Sequence, residues 1–240
     1  MFAFKKFRIY QEKVGMKVCT DACILGAWSP LGSARRILDI GTGTGLLALM
    51  LAQRSSPLTE IEAVEFEATA YFQALQNVQH SPFAHKIRLF HTPIQAFKPA
   101  WGYDFIIVNP PFFQNHTPAQ DKNRHLALHN ESLPFQDLLA SLVRLLQPQG
   151  KAAILLPPYE SQFFATQAAE YGLEVCQKLV IFQNPEGKAI RQIQILKRKE
   201  SFVSDSNIKE DFFYIHQEKA ARPLYTEQMQ LLLKDFYLIF

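Results

Sequence analysis

The stretch RRILDIGTGTGLLALMLAQR, Arg35 to Arg54, restricts the fold more than any other part of this chain. Its apolar run Ile37–Ile40 lacks the in-and-out alternation of a half-exposed strand, which predicts a central strand of a parallel sheet. Gly41, Gly43 and Gly45 then allow a sharp backbone turn and close approach to a ligand that any Cβ would exclude. The periodicity that follows predicts an amphipathic helix from about Thr44 to Arg54. The free N–H groups of its first turn would face the same space.

The next strand strengthens this reading. TEIEAVEFEAT is apolar at Ile61, Ala63 and Val64 and delivers Glu65 at its carboxyl end, twenty residues beyond Gly45. In doubly wound folds that spacing sets an acid beside a ribose diol. A plainer role is a surface acid capping a helix begun at Glu67. A dinucleotide site is disfavoured, because Leu46 stands where G-x-G-x-x-G needs its last glycine or alanine. Asp39 would also repel a pyrophosphate, whereas it suits a cofactor with a cationic amino-acid end.

At 240 residues and 48 % hydrophobic composition, the chain has material for one large α/β domain, with no linker-like break. The expected division is an arm and cofactor-closing helix over 1–34, a core sheet over 35–200 and an extension over 201–240. The polar run Lys197–Asp211 reads as a surface loop. No apolar stretch approaches the ~20 residues of a membrane span. Charges at Lys5, Lys6 and Arg8 interrupt the place of a signal peptide's apolar run, so cytosol is the expected compartment. Cys19, Cys23 and Cys176 have no accompanying cluster with zinc spacing, and no metal is expected. Net charge is only +3, but Met1–Thr20 holds five Lys/Arg against one Glu, and Lys178–Glu200 six against two. Two such segments can flank a phosphate backbone.

The chemistry is concentrated in YDFIIVNPPFF, Tyr103 to Phe113. A buried strand ends on Asn109, and Pro110 and Pro111 stiffen the loop while removing two donors. What remains is acceptors: the Asn109 side-chain oxygen and the Pro110 carbonyl. One acceptor for each N–H can hold an exocyclic amine with its lone pair turned toward an electrophile. Asn109 does not titrate near neutral pH, so catalysis would rest on positioning and on stabilising charge that grows on nitrogen. Phe112 supplies a flat face for a base.

An acid followed by G-x-G-x-G, with Asn-Pro-Pro-Phe after a fourth strand, resembles the class I S-adenosylmethionine-dependent methyltransferases that act on nitrogen. The resemblance implies a Rossmann-like sheet of seven mostly parallel strands with helices on both faces, the last strand being AIRQIQILKR after LEVCQKLVIF. It implies that Asp39 lies near the methionine part of the cofactor and that Glu65 holds the ribose hydroxyls. KVCTDACILGAW looks like the segment that closes over the methionine end, making Thr20 and Asp21 candidate contacts. The third strand of the family usually ends in an Asp that meets the adenine; here Pro93 stands there, with Thr92 and Gln95 nearby.

The motif alone serves adenine, guanine, cytosine and glutamine amides equally. Over nearly its full length, through FRIYQEKVGMKVCTDACILGAW, VNPPFF, NRHLALHNESLPFQDLL and RPLYTEQMQLLLKDFYLIF, the chain resembles the bacterial tRNA(Val) adenine-N6 methyltransferases. The resemblance implies methylation of adenine 37, beside the anticodon. N2-guanine methylation of ribosomal RNA and a catalytically silent RNA-binding module are the alternatives. Lys5, Lys6, Arg124, Lys197 and Arg198 are the candidate RNA contacts. His116, His125 and His129 share the loop with Arg124, whereas His80, His85, His91 and His216 read as ordinary surface histidines.

Overall fold

The computed structural model describes residues 1–12, 17–110, 133–199 and 208–240. Pro111, Phe112, Arg124 and the loop histidines lie outside the described residues. A short hairpin, β1 (Phe2–Ala3) and β2 (Arg8–Ile9), precedes α1 (Thr20–Trp28). Alternating elements follow: β3 (Arg36–Ile40), α2 (Leu46–Arg54), β4 (Glu60–Glu65), α3 (Ala68–Gln79), β5 (Ile87–His91) and β6 (Tyr103–Val108). Then come α4 (Phe135–Leu145), β7 (Leu146–Leu156), α5 (Pro158–Glu170), β8 (Leu173–Phe182), β9 (Ala189–Arg198), β10 (Lys209–Tyr214) and α6 (Glu227–Leu233).

Among the described residues the central sheet has eight strands, in the order β10-β8-β9-β7-β6-β3-β4-β5. Only β9 runs against its neighbours, β7 and β8. The expected seventh strand is therefore present and reversed. The count of seven is corrected to eight, because β10 pairs in parallel with β8 from Lys209↔Gln177 to Tyr214↔Phe182. The end of the run read as a polar surface loop is thus an edge strand, exposed along most of its length and buried at Phe213. Among the described residues no helix is long and apolar enough to cross a membrane.

Strands at the centre are apolar on both faces because helices cover both. In β6, Phe105, Ile106, Ile107 and Val108 are all buried. Phe105 and Ile107 join one core cluster with α1 and α2, and Ile106 and Val108 join the other with α4 and α5. Each such side chain contributes roughly 1.5–3 kcal/mol relative to exposure. Register at the centre has a polar staple. Asp104 Oδ2, at the start of β6, accepts from the Arg35 and Arg36 N–H groups at the start of β3, both at 2.9 Å.

The two ends of the chain pack together. Phe4 bridges Tyr237 in antiparallel fashion, and the Lys5 N–H donates to the Phe236 carbonyl at 2.8 Å. Phe2 and Phe4 both lie against the Tyr237 ring.

Candidate active site

All the predicted cofactor residues of the glycine turn meet at the carboxyl ends of β3 and β4. Asp39, fully buried, places Oδ2 on the Thr42 hydroxyl at 2.6 Å and the Ala48 N–H at 3.1 Å. Its Oδ1 is buried without a hydrogen-bond partner among the described residues. Burial pushes the Asp39 carboxyl up to about 7, against the lowering effect of those two donors, and the neighbouring Glu65 charge adds to the rise.

Gly41 and Gly43 hold φ of 67° and 57°, and a Cβ on either would meet nothing within 4 Å. The turn therefore has an open, side-chain-free face. Gly45 is likewise glycine for its backbone conformation. Its φ is 81°, and a Cβ there would sit 3.6 Å from Ala74 and Val78 of α3. That left-handed residue is the N-cap of α2, so the helix begins at Leu46 rather than at the expected Thr44.

Glu65 is 6 % exposed and does not cap α3. Glu67 does, accepting from the Thr69 and Ala70 N–H groups. Glu65 Oε2 accepts from the Gly43 N–H at 2.9 Å, and Oε1 from those of Phe66 and Glu67 at 3.0 Å. A carboxylate has about four acceptor sites, so the three donors leave capacity for a hydroxyl. The orphaned Asp39 oxygen, the open turn and this remaining capacity fit a cofactor with a cationic end and a ribose.

Asn109 and Pro110 follow directly on β6, which pairs with β3 through Ile40↔Val108. The acceptors thus stand one strand from the glycine turn, where the strand order reverses and ligands of open α/β sheets bind. Pro110 is buried and Asn109 half-buried.

Three features escaped the sequence reading. Phe66, next to Glu65, is 58 % exposed, and its carbonyl lies 3.1 Å from His91 Nε2. Tyr71 stacks on the His91 ring at 5.1 Å, so the carboxyl ends of β4 and β5 carry an aromatic patch. Asn77, 1 % exposed, donates to the Thr44 and Tyr10 carbonyls and accepts from the Tyr10 N–H, tying the glycine turn to the arm. Its only mark in the sequence is an amide on the stripe Ala70-Ala74-Val78. Gln95, by contrast, is held on Asp137 at 3.0 Å.

The remaining expected contacts are distributed differently. Asp21 forms an ion pair with Arg191, Oδ2 to Nε at 2.9 Å, joining the start of α1 to β9. Lys5 Nζ donates to the Lys234 and Phe240 carbonyls at 2.5 and 2.6 Å, while Lys6 is exposed. Lys197 pairs with Glu174 at 3.1 Å, and Arg198 donates to the Val143 and Leu146 carbonyls. Because β9 is reversed, Lys197 stands opposite Lys151, the first β7 residue that pairs with β9, and Arg198 opposite Leu173, at the amino end of β8. That is the edge away from Asn109. The strand's direction thus sets this pair apart from the Asn109 end of the sheet. The exposed cations Lys188, Lys219 and Arg222 belong to the carboxyl edge instead.

This sheet order, glycine turn and acid define a class I S-adenosylmethionine-dependent methyltransferase. The model of the methyltransferase small domain matches residues 25–154. A predicted O-methyltransferase from Agrobacterium tumefaciens shares the fold, with a TM-score of 0.63 at 15% identity over 90% of this chain and 96% of that one. The tRNA1(Val) (adenine(37)-N6)-methyltransferase of Dyadobacter fermentans is 44% identical over 100% of this chain and 98% of its own. That of Bacteroides thetaiotaomicron is 36% identical over 99% and 97%. The chain belongs to the family of tRNA1(Val) (adenine(37)-N6)-methyltransferases.

Proposed function

We propose that this enzyme methylates the exocyclic N6 of adenine 37 in the anticodon loop of a valine tRNA. The observation that carries the substrate is the extent of the likeness. The methyltransferase small domain accounts for residues 25–154 only, whereas identity to the Dyadobacter fermentans relative continues through both ends of the chain. A tRNA substrate puts the reaction in the cytoplasm.

S-adenosylmethionine, when bound, supplies an electrophilic methyl group. The residues that would hold it are Asp39 and the Gly41–Gly45 turn toward its methionine part and Glu65 at its ribose. Phe66 offers a flat face for its purine. Asn109 Oδ1 and the Pro110 carbonyl accept the two N–H bonds of the substrate amine. This holds the nitrogen lone pair in one direction and stabilises the positive charge that develops there. The proton leaves to water. Phe112 stacks on the base, which an anticodon loop presents unpaired, so extrusion costs less than from a duplex. Phosphates of the loop meet Arg124 and the exposed cations Lys6, Lys188 and Arg222.

The test is methyl incorporation into valine tRNA carrying adenine at 37, against the same tRNA with guanine there and against duplex DNA. Labelling confined to the adenine substrate is expected. Equal labelling of the guanine variant, or preference for DNA, overturns the assignment. Asn109→Ala should lower the single-turnover rate at least 100-fold, on the order of an oxyanion-type contact, with cofactor affinity within about twofold.

A further inference from the structure

Beyond β7, the carboxyl edge of the sheet carries a second concavity. It is a notch of about 240 Å³ whose walls include Thr20, Asp21, Gln183, Arg191, His216 and Tyr225. Pockets for drug-sized ligands start near ~300 Å³, so the notch has room for one ring system rather than a whole nucleotide.

Its walls combine a flat apolar surface with a polar rim. The His216 and Tyr225 rings stack at 5.0 Å and 26°, and the same two residues form an isolated antiparallel bridge that fixes them. The Gln183 amide meets His216 Nδ1 at 2.9 Å. Across the notch, the Arg191 guanidinium is matched by the Asp21 carboxylate. That wall offers donors and acceptors with little net charge. Such chemistry suits the edge of a base better than a phosphate, and the stacked pair suits its face.

Position narrows the ligand further. Gln183 follows β8, Arg191 lies at the start of the reversed β9, and His216 follows β10. All three therefore stand on the same edge as Asn109. In the order β6-β7-β9-β8-β10 they are two to four strands from β6. At ~4.8 Å per strand this is roughly 10–19 Å, the reach of a short piece of single-stranded nucleic acid. We propose that the notch is a second base pocket, which takes one unpaired base of the RNA substrate while another base is held at Asn109. The proposal rests on the RNA reading above and deepens it. His216, an ordinary surface histidine by sequence, becomes a recognition residue.

The test uses a valine tRNA anticodon stem-loop with an abasic nucleotide at each loop position in turn, position 37 excepted. With the wild-type enzyme, one abasic position should raise KM about tenfold, the size of one lost stacking contact. His216→Ala should raise KM for the intact loop by a similar factor, with kcat and cofactor affinity kept, and should be indifferent to that abasic position. His216→Phe, which restores a flat ring, should recover most of the loss, and Gln183→Ala, an exposed change, reports on the rim without risk to folding. The proposal fails if no abasic position matters to the wild type. It also fails if His216→Ala keeps the wild-type KM, or if the abasic penalty persists unchanged in that variant. A wild-type enzyme that leaves adenine 37 unmethylated is a different outcome and refutes the substrate assignment instead.

Discussion

Replacing Asp39 with Asn should make the unliganded protein more stable and the cofactor bind worse. The amide keeps an oxygen for the Thr42 hydroxyl and the Ala48 N–H. Its NH₂ takes the place of the buried, unpartnered Oδ1, and the charge disappears. Burial raises the carboxyl from 3.8 to about 7, and each pH unit corresponds to about 1.4 kcal/mol. The ceiling on the gain is therefore about 4 kcal/mol, and a gain of at least ~1 kcal/mol is expected at pH 8. The folded state holds this proton more tightly than the unfolded chain does. Asp39 therefore contributes full stability below about pH 4, and that contribution is lost as pH rises through about 7. Urea unfolding of both proteins at pH 5.5 and pH 8.0 isolates the effect, since all other groups titrate alike in the two. The difference should grow toward pH 8. In the wild type, cofactor affinity should fall about tenfold for each pH unit below 7 as the carboxylate is protonated, and Asp39→Asn should lack that bend. Equal stability of the two proteins at pH 8 would refute the reasoning.

Glu65→Ala should weaken S-adenosylmethionine binding by roughly 1.5–3 kcal/mol in calorimetry, through loss of a charge-assisted contact; unchanged affinity in a folded variant excludes the ribose role. Asn77→Ala should cost about 1–3 kcal/mol in urea unfolding, because it strips hydrogen bonds from the buried Thr44 carbonyl and from Tyr10. Lys188→Ala with Arg222→Ala should flatten the salt dependence of tRNA binding by about one phosphate contact each, read as the slope of log affinity against log salt. Arg198→Ala should leave that slope alone and lower stability, since its guanidinium serves two carbonyls at the opposite edge.

Strands with helices on both faces were legible because burial on both sides leaves an unbroken apolar run. Leu173–Phe182 and Ala189–Arg198 lack such a run, being polar at Glu174, Gln177, Lys178, Gln192 and Gln194, yet they too coincide with the expected segments residue for residue. The edge strand Lys209–Tyr214 was not legible. Exposed Lys209 and Glu210 open it, and an edge needs apolar residues only where it touches the body. The helix after the glycine turn starts two residues late because Gly45 takes a left-handed φ of 81°, which a right-handed helix does not admit. The glycine turn and Glu65 were legible as a site because few residue types tolerate that backbone. The fates of Lys5, Lys197 and Arg198 were not, because sequence gives a cation's identity but not the direction of its strand. Side chains that serve backbone carbonyls, as Arg198 does, leave no periodic signature at all.

The clasp between the chain ends sets an order of events during synthesis. Phe7 meets Phe83, and Tyr10 is held by Asn77, so this part of the arm can dock once the first third of the chain has emerged. Phe2 and Phe4 pack on each other and on Tyr237, and the loop closed between Phe4 and Tyr237 takes in most of the 240 residues. The entropy of closing so long a loop exceeds that of a short one by only a few kcal/mol, so the equilibrium tolerates it. Time does not shorten in the same way. At ~5–20 residues per second the first phenylalanines wait on the order of ten seconds or more for the last turn of chain. Phe2 and Phe4 thus gain the shelter of Tyr237 long after they are made.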